Sequence, residues 1–323
     1  MKILSIDGGG IKGIYSAAFL AGLEERFGKS IADCFDLIAG TSTGGILALA
    51  LAARLPARDV VTFYREWGPK IFPTKLTFLY TLRSLLFSKY NNVSLDRAFK
   101  DVFKDLKLKD LDAHTKRVAL CIPSINAITG NPMVFKTQHD PNLCRDLEYY
   151  LWQVALATSA APVYFPLAKV GIPNSAAQNL FVDGGLWANN PSMVALVEAV
   201  AYMKMPLQDI RLLSVGNIKS KTTFSSNSIL SRGASLWREK VINLTLEAQA
   251  ASIDHQVELL FRSLNLSSNY IRVEEPITSQ THLCLARMDC AKTKNLNDLE
   301  IMGRHRADCE GVKRRMIQLF TEE

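Results

Sequence analysis

The sequence predicts an α/β fold in three layers, a mostly parallel central sheet flanked by helices, and three observations predict it. Apolar runs of strand length occupy residues 2 to 6, 35 to 39 and 180 to 182. Each is followed at once by a glycine cluster: Asp7-Gly8-Gly9-Gly10-Ile11-Lys12-Gly13, Gly40-Thr41-Ser42-Thr43-Gly44 and Asp183-Gly184-Gly185. Behind the first two clusters come apolar helical stretches, Ile11 to Phe27 and Thr43 to Leu55. That is the strand-turn-helix alternation of a doubly wound sheet, which places its polar site residues at the carboxyl ends of strands.

The other elements follow in order. Helices are expected at 57 to 67 and 93 to 105, with an irregular aromatic stretch between them. Strand-like runs at 117 to 122 and 132 to 136 flank the hairpin-like Thr129-Gly130-Asn131-Pro132, and a helix at 146 to 158 leads to the Asp183 strand. Asn190 reads as an N-cap with Pro191 at the first helical position, opening a helix to about 203, and Ile210 to Val215 reads as a core strand. The remainder reads as mostly helical, with long segments near 228 to 262 and 296 to 320. These divide the chain into a core at 1–217 and a C-terminal extension at 218–323 packed on the same domain.

Composition narrows the class. A chain of 323 residues, 48% apolar and 21% charged, buries a sizeable core. Its net charge of +7 favours anionic partners, and no nucleic-acid module accompanies it, so neither DNA nor RNA is an expected partner. Six cysteines, at 34, 121, 144, 284, 290 and 309, show no metal or CxxC spacing and read as reduced thiols, which favours the cytoplasm. No signal peptide is recognisable, and the longest clean apolar run, Ile46 to Leu55, is too short to span a bilayer.

The clusters carry chemistry. Gly40 and Gly44 flank Ser42 at the spacing of a nucleophile elbow, which needs nearly side-chain-free neighbours to hold a strained, exposed serine at a helix N-terminus. Gly8, Gly9 and Gly10 make a loop whose backbone N–H groups are suited to an oxyanion hole. A serine hydroxyl needs a proton acceptor. Among the five histidines, His255, His282 and His305 fall late enough for a conventional triad, yet none has a convincing setting. Asp183 is the remaining candidate, in a turn dipeptide that alone would mark only a turn.

Together the clusters resemble the patatin-like phospholipases, lipid acyl hydrolases that use a Ser-Asp dyad without histidine. Ala157 to Pro166, reading ATSAAPVYFP, is similar to the family's segment before its acid motif. The resemblance covers residues 1 to about 217. It implies Ser42 as nucleophile, Asp183 as proton acceptor within Asp183-Gly184-Gly185, and the Gly8-Gly9-Gly10 backbone as oxyanion hole. It implies membrane phospholipid as substrate and neither metal nor cofactor, since dyad and amides complete the chemistry.

Three further expectations follow. Residues 65 to 89 mix Arg65, Lys70, Lys75, Arg83 and Lys89 with Trp67, Phe72, Phe78, Tyr80, Leu85, Leu86 and Phe87, which suits either an amphipathic lid on anionic lipid or a packed cover with solvated lysines. The basic runs Arg304 to Arg306 and Lys313 to Arg315 suit phosphates or a solvated helix face. With the glycine motif at its start and a segment like Leu120 to Lys136, the chain is similar to phospholipase effectors of antiphage defence. That likeness implies a cyclic oligonucleotide activator, with action at the inner face of the membrane, and a homo-oligomer is left open as a partner. Two other classes stay open: a kinase-like protein binding nucleotide phosphates at the first cluster, and a catalytically silent scaffold.

Overall fold

The structure is a computed structural model that describes residues 1–73, 87–113, 116–172, 178–219, 231, 233–276, 285 and 287–322. At the centre of its sheet lies β1 (Lys2–Ile6), paired in parallel with β2 (Leu37–Gly40) on one edge and β7 (Arg211–Ile218) on the other. Successive side chains of a strand point to opposite faces. Accordingly Leu4 and Ile6 join the core on one side of the sheet, while Ile3 joins that on the other.

Eight strands form one sheet in the order β5-β6-β3-β2-β1-β7-β8, with β4 on β3. Here β3 is Ala119–Asn126, β4 Asn131–Lys136, β5 Ala168–Val170, β6 Asn179–Asp183 and β8 Tyr270–Glu275. The β1–β2, β1–β7, β2–β3 and β7–β8 pairs are parallel, and β4, β5 and β6 bring the antiparallel ones.

One face carries α1 (Gly13–Phe27), α3 (Thr43–Ala52) and α6 (Leu151–Thr158), with α4 (Ala57–Ile71) and α10 (Thr293–Gly311) packed on α1. The other carries α8 (Ser192–Ala201), with α9 (Ala234–Ser263) against it. Short α2 (Ile31–Cys34) and α7 (Gly185–Ala188), α5 (Val93–Phe103) and the terminal α11 (Arg314–Thr321) complete the set. No helix among the described residues is long and apolar enough to cross a membrane.

Several expectations change. The first helix starts at Gly13 after a 3-10 turn over Gly10–Lys12. The helix expected from 146 starts at Leu151, because Asp146 is buried and its carboxylate accepts the Lys136 N–H and the Arg145 guanidinium instead. The basic terminal helix is two helices, since Lys313 turns to an extended conformation, φ −74° and ψ 135°. Strands β5 and β8 were not expected, and β8 lies between the two long segments expected to be helical. Asn190 does cap, accepting the Ser192 N–H at 3.0 Å, with α8 beginning one residue after Pro191.

The expectation of wholly reduced cysteines fails at Cys290, which is disulfide-bonded; Cys34, Cys121, Cys144 and Cys309 are free. The arginine runs serve the fold. Arg304 pairs with Glu25 and Glu300, and Arg306 with Glu275 and Glu310, tying α10 to α1 and β8.

Candidate active site

Between β2 and α3 the chain reverses within two residues, and Ser42 takes φ 55° and ψ −121°. A non-glycine residue in that region stores strain of about 1–3 kcal/mol, which the surroundings must impose. They do so through close approach: a Cβ on Gly40 would run into the Gly44 carbonyl, and one on Gly44 into the carbonyl of Ile6 on β1. The Ser42 N–H is fixed on Thr158 Oγ1 at 2.9 Å, and that hydroxyl donates to the Pro123 carbonyl at 2.6 Å. Thr158 thus links the elbow to β3, a role the sequence offered only as part of the ATSAAP segment.

Asp183 reaches Ser42 by a route the sequence did not indicate. Its strand β6 is antiparallel to β3, so its carboxyl end faces the opposite way from those of β1 and β2. The register resolves this. Ala39 stands opposite Cys121 and Asp183 opposite Ser124, so β3 extends beyond the end of β2 and β6 runs back along it until it meets the elbow head-on. The Ser42 hydroxyl donates to Asp183 Oδ2 at 2.7 Å, and the Gly185 N–H donates to Oδ1 at 2.7 Å.

Both side chains are nearly dry, Ser42 6% and Asp183 3% exposed. Burial pushes the Asp183 carboxyl up to about 6, against the hydrogen bonds from Gly185 and Ser42 that hold it down. A carboxylate in that range accepts a proton far more readily than a solvated aspartate, yet is still ionised at neutral pH. Among the described histidines none adjoins Ser42. His255 and His305 are exposed on α9 and α10, and His139 bonds Glu198 at 2.8 Å; His114 and His282 lie outside the described residues.

The glycine loop follows β1 directly and lies over the elbow. Its donors are unequal. The Gly8 N–H is taken by the Asn189 carbonyl at 3.0 Å, the Gly9 N–H by Thr43 Oγ1 at 3.1 Å, and the Ile11 N–H by the Met288 carbonyl at 2.8 Å. Among the described residues, the Gly10 N–H and the Thr43 N–H at the start of α3 have no partner. Gly10 stands at φ +62°, and a Cβ there would strike the Met288 carbonyl, so both conformation and space require glycine.

Asp7 does not face the loop's donors. It is held bidentately by Arg272 of β8, at 3.0 and 2.6 Å. Burial pushes its carboxyl up and the guanidinium opposes that shift; the geometry favours the ionised pair. With Asp7 so engaged and the Gly8 N–H occupied, the first cluster lacks the open anion cradle that a kinase-like reading requires. Arg272 left no sequence signal, because it lies on the strand that was not expected.

Two cavities flank this loop. One holds Ser42 in an apolar cleft of about 40 Å³ with Ile46, Phe63, Ile71, Phe72 and Phe165. The other, about 370 Å³, has a mostly apolar lining in which Gly8, Gly9, Lys12, Asn189, Asn243 and Arg272 take part, and Met288 lines both. Part of the lid expectation falls outside the described residues, namely Lys75, Phe78, Tyr80, Arg83, Leu85 and Leu86. Of the rest, Lys70 lies over the Trp67 ring and Arg65 pairs with Glu300. Lys89 is buried on Asp289 and Glu239, so it is not a lipid-facing cation.

Residues 4–196 match the patatin-like phospholipase family. The chain is 34% identical over 307 residues to a cGAMP-activated phospholipase of Pseudomonas aeruginosa, a match covering 94% of this chain and 87% of that protein. Proteins of the same description from Escherichia coli and Vibrio cholerae are 31% and 32% identical, each over 99% of this chain and over 92% and 94% of their own lengths.

Proposed function

The chain belongs to the patatin-like phospholipase family and is an acyl ester hydrolase, and we propose that it cleaves the carboxylic esters of membrane phospholipids through Ser42 and Asp183. One observation carries this: the Ser42 hydroxyl, on a strained elbow, donates to a dry carboxylate at 2.7 Å. Ser42 Oγ attacks the ester carbonyl carbon as its proton passes to Asp183 Oδ2. The oxyanion is met by the Gly10 and Thr43 N–H groups, and by that of Gly9 once the Thr43 hydroxyl releases it. In this assignment the Gly8 N–H shapes the loop rather than donating to substrate.

Collapse of the tetrahedral intermediate breaks the ester C–O bond, and Asp183 returns the proton to the departing alcohol. An acyl-Ser42 ester remains. Water then attacks it, giving its proton to Asp183, and the second collapse releases a fatty acid and returns that proton to Ser42 Oγ. Gly184 and Gly185 keep the Asp183 turn tight, and Gly185 also donates to the carboxylate.

We further propose that a cyclic oligonucleotide, cGAMP by likeness to the named bacterial relatives, switches the enzyme on at the inner face of the membrane in antiphage defence. The cleft supports this. At about 40 Å³ it is far below the roughly 300–1,000 Å³ of a ligand pocket, so an acyl chain enters only after the cleft opens. The test is fatty-acid release from phosphatidylethanolamine–phosphatidylglycerol vesicles by wild type and Ser42→Ala, with and without cGAMP. Release requiring both Ser42 and cGAMP is expected. Release that survives Ser42→Ala overturns the nucleophile, and equal release without nucleotide overturns the switch.

A further inference from the structure

We propose that the buried Lys89–Asp289 pair is a clasp that holds the Ser42 cleft shut and must be released before an acyl chain enters; this rests on the reading of that cleft as the acyl site. The cleft has an aromatic wall, which includes Phe72, Tyr164 and Phe165, and a second wall at Met288. Met288 is fixed through the main chain. Its carbonyl accepts the Ile11 N–H at 2.8 Å, and the Cys290 carbonyl two residues on accepts Asn295 Nδ2 of α10 at 2.6 Å.

The aromatic wall is carried by a neighbouring stretch of chain. Tyr90 packs on Phe72 and Phe165, with ring centroids 5.3 and 5.9 Å apart, and the N–H groups of Lys89 and Tyr90 donate to the Val163 and Tyr164 carbonyls, each at 2.8 Å. Residues 89 and 90 are therefore part of that wall. Their side chains cross to the other one. The Lys89 ammonium bonds the Asp289 carboxylate and, at 2.8 Å, that of Glu239 on α9, and the Tyr90 hydroxyl donates to Asp289 Oδ2 at 3.0 Å. Asp289 follows Met288 in the chain, so these bonds close the cleft from wall to wall.

Two observations make the joint a switching device rather than plain stabilisation. The pair is nearly dry, its side chains 11% and 3% exposed. Desolvation offsets most of the attraction in such a pair, and its best-attested use is to select one arrangement among alternatives. Strain lies beside it as well. Val163, whose carbonyl takes the Lys89 N–H, stands at φ +72°, a conformation that a β-branched residue rarely adopts. Such strain persists only where the surroundings impose it, and it clusters at clamps and switch regions. The closed wall is thus loaded, and freeing Lys89 lets it relax.

The test compares full-length wild type with Lys89→Met, which keeps the stem but cannot bridge the walls, and with Tyr90→Phe, which keeps the ring and loses only the hydroxyl. Circular dichroism checks that both fold. Hydrogen exchange is read at the Tyr164 and Phe165 amides, which bond the Ala161 carbonyl. In parallel, kcat/KM without nucleotide is measured for p-nitrophenyl dodecanoate and for p-nitrophenyl acetate. In Lys89→Met the exchange should quicken and the dodecanoate-to-acetate ratio rise about tenfold, with a smaller rise of both in Tyr90→Phe. If Lys89→Met leaves either quantity at its wild-type value, the clasp is overturned; Tyr90→Phe decides in its place should Lys89→Met not fold. An equal fall with both esters also overturns it, since the joint would then serve only to support the glycine loop. If no protein hydrolyses either ester, the hydrolase reading fails, and the exchange rates alone decide the clasp.

Discussion

The two cavities beside the glycine loop differ in size and in the charged groups set in their walls. In front of it, Ser42 lines a small apolar cleft that holds no charged residue, and the Asp183 carboxyl that accepts its hydroxyl is pushed towards neutrality by burial. Behind it, a cavity roughly nine times larger, about 370 against 40 Å³, has a mostly apolar lining that also includes Lys12, Arg272, Asp7 and Glu274. The first environment suits covalent chemistry, where excluding water raises the basicity of Asp183 and strengthens every donor aimed at the oxyanion. The second keeps its charges in ion pairs of the fold, Asp7 with Arg272 and Glu274 with Lys219 and Arg272.

If that division is right, the largest effect lies in front. Ser42→Ala should lower acyl-ester hydrolysis by at least about 10⁴-fold, since the dyad acts as one unit and only backbone donors and binding would remain. Thermal stability should hold or rise, because an elbow without the hydroxyl keeps its shape. A fluorophosphonate probe should label wild type at Ser42 and leave the variant unlabelled. Labelling elsewhere, with activity retained, would move the chemistry out of the cleft.

Behind the loop the expected effect is on folding. Arg272→Met leaves Asp7 buried without its partner, and breaking such a pair costs about 3–5 kcal/mol. The half-exposed Arg211–Glu322 pair on the same strand system provides the control: Arg211→Met should cost under about 1 kcal/mol. Urea unfolding of both variants measures the difference. Equal small losses would mean that the Asp7–Arg272 pair does not tie β8 to the glycine loop, and the two cavities would then be mechanically independent.

Why one side was legible in the sequence and the other was not follows from how each is assembled. The elbow depends on Gly40, Ser42 and Gly44, adjacent residues whose spacing alone states the backbone conformation, and Asp183 carried its own turn signal. What the sequence could not state was register: that β6 runs antiparallel and ends level with Ser42 depends on how far β3 outreaches β2. The rear cavity draws on β1, β7, α9 and β8, residues from Asp7 to Met288, and no local pattern records their meeting. Arg272 was lost with β8, whose sequence Tyr270–Glu275 alternates weakly because both of its faces mix burial and charge.

A subtler test separates the two sides by pH. Asp183 must be ionised to take a proton, so kcat/KM for a plain ester should rise through about pH 6 and level off above it. Lys12 lies behind the loop, and burial holds its ammonium near 8. Hydrolysis of a neutral ester should therefore stay on its plateau as pH rises through about 8 and Lys12 loses its charge. A second inflection of ester turnover near pH 8 would break the separation.

The smallest effect is also the most discriminating, because stability and activity are expected to move in opposite directions. The folded-state value of Asp183 lies above that of a solvated carboxyl, so folding favours its protonated form. Its contribution is intact below about pH 4 and is lost as pH rises through about 6. Two units correspond to at most about 3 kcal/mol, reduced by whatever hydrogen bonding the carboxylate keeps that an amide would not. Asp183→Asn should therefore abolish turnover while raising the thermal midpoint by a few degrees at pH 8, and that gain should vanish near pH 4. A variant destabilised at every pH would mean that the Gly185 and Ser42 hydrogen bonds outweigh desolvation. The front cleft would then be held together by its dyad, and the strain attributed to catalysis would have to be sought in the elbow backbone alone.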